Sequence, residues 1–158
     1  MDLNSFFLLF PSIFMLHEFE EILLFPRFMR RNLKLQQQFL ATAFTPFRFN
    51  AIVCQEFILL LIVLGLSIYF ESFDIYITVI IAYIYHVIGH IFQSIFPRQY
   101  VPGVLSGIIT SGYCTYQIYD VVSANYWLLA YSFITLLIII VNIALCFKIL
   151  QMLQISSD

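Results

Sequence analysis

His17, Glu20 and Glu21 stand at i, i+3 and i+4, so on a helix they share one face, with Glu18 at the edge of that arc. His86 and His90 are i and i+4 and share a face of another helix. Imidazoles and carboxylates in such sets support three kinds of chemistry. They hold a divalent ion such as zinc, iron or manganese. They pass protons in a carrier. Or they hydrogen-bond helices to one another, with no reaction at all. All of these residues fall in runs that read as membrane-spanning, where an ionisable side chain costs free energy unless something compensates it.

The elements that must carry them follow from hydropathy. Of the 158 residues, 62% are hydrophobic and 10% charged, and the mean hydropathy is +0.95. A soluble domain carries about a quarter charged residues. The chain therefore reads as an all-α, polytopic membrane helical bundle forming a single domain over residues 1–158. A crossing helix needs about 20 apolar residues. Five stretches qualify: Leu3–Phe25, Asn50–Phe70, Asp74–Phe96, Pro102–Tyr119 and Tyr126–Phe147. Pro26 and Pro97 close the first and third, and Pro46 breaks the segment before the second. The N-terminus, with Asp2 and no basic stretch, shows no cleavable signal pattern.

Charge placement sets the orientation. Arg27, Arg30, Arg31, Lys34 and Arg48 lie between the first and second stretches, Arg98 after the third and Lys148 after the fifth. Five crossings put all of them on one side, and Asp2, Glu71, Asp74 and Asp120 on the other. The positive-inside rule then places the N-terminus outside and the C-terminus in the cytoplasm. Arg27, Arg30, Arg31, Lys34 and Gln38 form one helical face, and Phe28, Leu35, Phe39 and Ala43 the opposite one. That pattern predicts a cytoplasmic amphipathic helix in the membrane interface, acting as a passive linker or as a lid over a lipid-like substrate.

Depth brings the chemistry together. At about 1.5 Å per residue, Glu20, Glu56 and His90 each lie roughly 9 Å inside the cytoplasmic ends of their stretches, and His17 and His86 roughly 13–16 Å inside. All three histidines of the chain fall in that layer. Four carboxylates, Glu18, Glu20, Glu21 and Glu56, accompany them, with no Lys or Arg at the same depth. Several ionised carboxylates in a low dielectric repel strongly, so either some hold protons or a cation lies between them. A metal site takes His17, His86 and His90 as ligands, Glu21 or Glu56 as the carboxylate ligand, and Glu20 as general base, a set suited to metal-assisted hydrolysis of a membrane-soluble substrate. The alternatives are a proton- or cation-coupled carrier and a non-catalytic partner with a structural polar network.

Other patterns narrow the field. Cys54, Cys114 and Cys146 sit in apolar runs without metal spacing and read as small hydrophobes. No P-loop, GxGxxG or basic groove interleaved with aromatics is present, which argues against nucleotide chemistry and nucleic-acid binding. Gly103 and Gly107 form GxxxG, which predicts close helix approach, within the chain rather than between copies.

His17-Glu18-Phe19-Glu20-Glu21, His90 before a loop, and Tyr100-Val101-Pro102-Gly103 opening the next stretch resemble the HXXEE-domain family of small bacterial membrane proteins. The resemblance runs from the first stretch to the fourth. It implies a place in the bacterial inner membrane and functional roles for His17, Glu20, Glu21 and His90, and it supplies no substrate. Members of that family often carry Asn where this chain has His86, which implies an optional ligand or a partner behind the ligands. Intramembrane CAAX-type proteases also pair a double Glu with later histidines. Here Phe25 stands where their motif has Arg, so the likeness is one of chemistry alone.

Overall fold

In the computed structural model, residues 2–31, 45–96 and 98–153 are described. They form five helices and no strand: α1 (Leu3–Arg31), α2 (Pro46–Tyr69), α3 (Asp74–Ile95), α4 (Val104–Ala124) and α5 (Trp127–Met152). Three of them, α2, α3 and α5, are long and apolar enough to cross a membrane. The other two carry the HxxEE turn, on α1, and a hydroxyl-rich face, on α4, which lower their apolar content.

Several helix limits differ from expectation. Pro26 does not end α1, which continues to Arg31; the helix absorbs both the lost N–H and the crowding of the ring against the Ile22 carbonyl. Pro46 does not break a helix but begins one. It stands in the first turn of α2, where its missing N–H has no intrahelical partner to lose. Thr45 caps that turn, its Oγ1 accepting from Arg48 N at 3.2 Å. α5 runs on to Met152, past Phe147. The expected interfacial helix falls mostly on residues 32–44, outside the described residues; Arg27, Arg30 and Arg31 belong to the end of α1.

α3 is the central element. It packs against α2, α4 and α5, while α1 packs against α2 and α4. Phe6, Phe7 and Phe10 of α1 meet Tyr76 and Ile80 of α3 in a fully closed aromatic layer. The Phe7–Tyr76 and Phe10–Tyr76 rings meet edge to face at 5.7 and 5.9 Å, a geometry worth about 1 kcal/mol per pair beyond area burial. Pro11 explains one further bond. It cannot donate to the carbonyl four residues back, which leaves Phe7 O open. Tyr76 Oη fills that vacancy, donating to Phe7 O at 3.0 Å. Phe7 is buried, and a buried carbonyl needs a partner from the protein.

α5 buries only Leu128 and Ser132 and is apolar over most of the rest of its surface, in keeping with a helix long and apolar enough to cross a membrane. Three of its polar side chains bond to other helices. Thr135 Oγ1 donates to Thr78 Oγ1 at 3.0 Å. Gln55 Nε2 donates to Asn142 Oδ1 at 3.0 Å, and Cys146 Sγ donates to Gln55 Oε1 at 3.3 Å. All three cysteines are free thiols. The hydroxyl-rich face of α4 is only partly inward: Thr110 is buried, but Tyr113 and Asp120 are exposed.

Candidate metal centre

α1 and α3 bring four side chains to one point. His17 Nε2 lies 3.3 Å from Glu21 Oε1, His90 Nε2 lies 2.9 Å from the same oxygen, and His86 Nε2 lies 3.8 Å from it. His86 Nε2 and His90 Nε2 are 2.9 Å apart. Helical spacing causes both halves: i and i+4 on α1 aim His17 and Glu21 at α3, and i and i+4 on α3 aim His86 and His90 back. The four ligand atoms all lie within 4.8 Å of one another, a group able to hold a metal ion.

Two observations test that fit. Donors about 2.0–2.1 Å from a tetrahedral ion stand roughly 3.3 Å apart, and the four distances above bracket this spacing. Both ring nitrogens of His17 and Oε1 of Glu21 are also buried with no well-aligned hydrogen bond. Buried polar atoms rarely go unsatisfied. Atoms that crowd together without aligning on each other are suited to a shared central ion.

His17 is held from several sides. It is fully buried, and Tyr83 meets its ring edge to face at 5.4 Å. Tyr83 is itself fixed by a hydrogen bond between its hydroxyl and Thr110 Oγ1. The α4 backbone closes the opposite side. A Cβ at Gly103 would lie 2.6 Å from Glu21 Oε1 and 2.9 Å from His17 Cε1, and one at Gly107 would lie 3.2 Å from His17 Nδ1. The GxxxG pair thus serves close approach within the chain, against the His17 and Glu21 side chains.

The remaining expected site residues lie elsewhere. Glu20 points to the α4 N-terminus, where Oε1 accepts from Gly103 N at 2.9 Å and from the Tyr100 hydroxyl, and Oε2 accepts from Ser106 N at 2.8 Å. Burial and the bond to Glu20 push the Tyr100 phenol up to about 12, so it remains a donor at neutral pH. Glu56 is not among the four clustered side chains; it lies on α2, and its Oε1 is buried without a hydrogen bond. Glu18 is buried within electrostatic reach of Glu21 and Glu56. Sequence reasoning missed Tyr83, Tyr100 and Ser106 as partners of the site. Tyr83 carried a signal, because it continues the His86/His90 stripe.

Fold and site define a helical bundle with a three-histidine, one-carboxylate cluster at metal-ligating spacing, buried except at His86. Residues 8–117 match the family described as "Protein of unknown function with HXXEE motif", and the chain belongs to that family. No curated protein and no solved structure matches it.

Proposed function

We propose that the protein is a five-span enzyme of the bacterial inner membrane, in which His17, Glu21, His86 and His90 hold a zinc ion for hydrolysis of a membrane-soluble substrate. The convergence of three Nε2 atoms on one carboxylate oxygen carries this reading. Three imidazoles and a carboxylate suit zinc first, with iron and manganese as the alternatives. A bound ion there supplies a Lewis acid for hydrolysis.

The membrane reading extends from α2, α3 and α5 to α1 and α4. At 29 and 21 residues, these two measure roughly 43 and 31 Å at 1.5 Å per residue, enough to cross. Glu20 and Glu21 of α1 and Thr110 of α4 find partners inside the bundle. The stack of Phe25 on Phe49 at 5.3 Å joins the end of α1 to the start of α2. It supports gathering Arg27, Arg30, Arg31 and Arg48 at one face, the cytoplasmic one.

The residues divide the work as follows. Glu21 offsets the ion's charge, and His17 and His90 fix its position from buried sites. His86 is the accessible ligand: its side chain is 43% exposed, against 0% for His17, 8% for Glu21 and 10% for His90. Substrate therefore approaches across His86. Glu20 is engaged at α4, so we assign the proton released in hydrolysis to Glu56 of α2, whose Oε1 is buried without a hydrogen bond although it lies outside the four-residue cluster.

Metal analysis of the full-length protein purified in detergent tests the reading. Wild type should hold about one zinc per chain, and His17→Ala and His90→Ala should each hold less than about a tenth of that, as expected when a site loses one of its four ligands. Wild-type protein without stoichiometric metal overturns the enzyme reading. Metal-free protein that conducts protons in liposomes, and stops when Glu21 becomes Gln, would establish the carrier instead.

A further inference from the structure

α4 begins in an unusual way. Its N-cap is Gly103, at φ +89°, in the left-handed region that glycine favours. An N-cap side chain normally accepts from the N–H three residues on. Glycine has no side chain, and another residue here would be strained by the positive φ and would bring its Cβ to 2.6 Å from Glu21 Oε1. The cap comes from another helix instead. Glu20 Oε2 accepts from Ser106 N, the third residue after the cap, and Glu20 Oε1 accepts from Gly103 N. Tyr100 donates to the same carboxylate from the loop before α4. A carboxylate also matches the positive end of the helix dipole.

Adjacent glutamates therefore meet at one backbone position. Glu20 accepts from the Gly103 amide, and Glu21 Oε1 lies 2.6 Å from where a Gly103 Cβ would stand. We propose that Glu20 is a positioning residue: it clamps the α4 N-terminus so that the Gly103 backbone presses Glu21 Oε1 toward His17 and His90. This rests on the metal reading and assigns Glu20 a role other than that of general base. The adjacent acids of HxxEE then do different work, the first on a neighbouring helix and the second on the ion.

Zinc competition titrations and cobalt absorption spectra on the full-length protein in detergent test the proposal, with wild type, Glu20→Gln and Glu20→Ala compared. Partners behind metal ligands are worth about 10–100-fold in affinity, and Glu20→Ala should lose that much. Its cobalt spectrum should change as Glu21 shifts. Glu20→Gln keeps one acceptor oxygen and should fall between Glu20→Ala and wild type. If Glu20→Ala does not fold, Glu20→Gln against wild type decides the matter. Unchanged affinity and an unchanged cobalt spectrum overturn the proposal; that is the outcome for a general base, and for a cap that matters only to stability, where the melting temperature alone falls. Wild type that binds neither metal overturns the metal reading itself, and the clamp with it.

Discussion

On the α4 side of the centre, a methyl group at Gly103 would lie 2.6 Å from Glu21 Oε1, and one at Gly107 would lie 2.9 Å from Val87 Cγ1 and 3.2 Å from His17 Nδ1. On the α3 side, a methyl group at Gly89 would meet nothing within 4 Å. Gly89 shares its helical face with His86 and Gln93, at i, i+3 and i+7, and both neighbours are exposed. One wall of the cluster is thus backbone pressed against the ligands, and the other is open along a polar strip of α3. The difference separates two uses of glycine. At Gly103 and Gly107 the missing side chain makes room for His17, Glu21 and Val87; at Gly89 it leaves space unfilled.

The same substitution at all three positions breaks or sharpens that contrast. Gly103→Ala should have the largest effect. Its φ of +89° is strained for alanine, at about 1–3 kcal/mol, and the new Cβ displaces Glu21 Oε1 directly. Zinc affinity should fall by more than about 100-fold, the upper end for disturbing a ligand's support, with a clear drop in melting temperature. Wild-type affinity in Gly103→Ala would show that Glu21 does not depend on this wall.

Gly107→Ala should be intermediate. Its contacts are the end of Val87 and the edge of the His17 ring, so Val87 can yield by rotation while His17 has less freedom. Overpacking of this kind costs about 1–3 kcal/mol, and zinc affinity should fall by roughly tenfold, the low end for disturbing a group behind a ligand. A calorimetric titration of the purified protein measures it. A loss as large as that of Gly103→Ala would mean that both glycines act through His17, and that Glu21 contributes less than its central place suggests.

How much of this was legible in the sequence depends on whether a contact lies within one helix or between two. The pairings of His17 with Glu21 and of His86 with His90 follow from helical periodicity, and their common depth follows from counting residues. The place of Glu56 was not legible. Depth fixes a level, whereas joining a cluster also requires the right rotation of α2, which loops and neighbours set. The separation of Glu20 from Glu21 was beyond spacing for a similar reason: consecutive residues differ by about 100° around a helix, and each met a different neighbour. Tyr100-Val101-Pro102-Gly103 was visible as a motif, but its bond to Glu20 spans 80 residues of chain. The limits of α1 and α2 were misjudged because Pro26 and Pro46 were both read as breaks. In the structure, one lies within a helix and the other in a first turn.

Gly89→Ala should have the smallest effect and the opposite sign. Glycine within a helix costs about 0.5–1 kcal/mol relative to alanine, and no atom stands in the way of the added methyl group. The melting temperature should rise by a few degrees, while zinc affinity stays at the wild-type value. Removal of zinc by a water-soluble chelator adds a second measure of the open wall, because the chelator must reach the ion past His86. A single methyl group is too small to block that path, so the stripping rate should also hold. Gly89→Trp should slow it at unchanged affinity, since an indole at this position can cover the His86 ring from the same face. Equal stripping rates in wild type and Gly89→Trp would move the approach away from α3, and a fall in zinc affinity on Gly89→Ala would show that this wall, too, is closed.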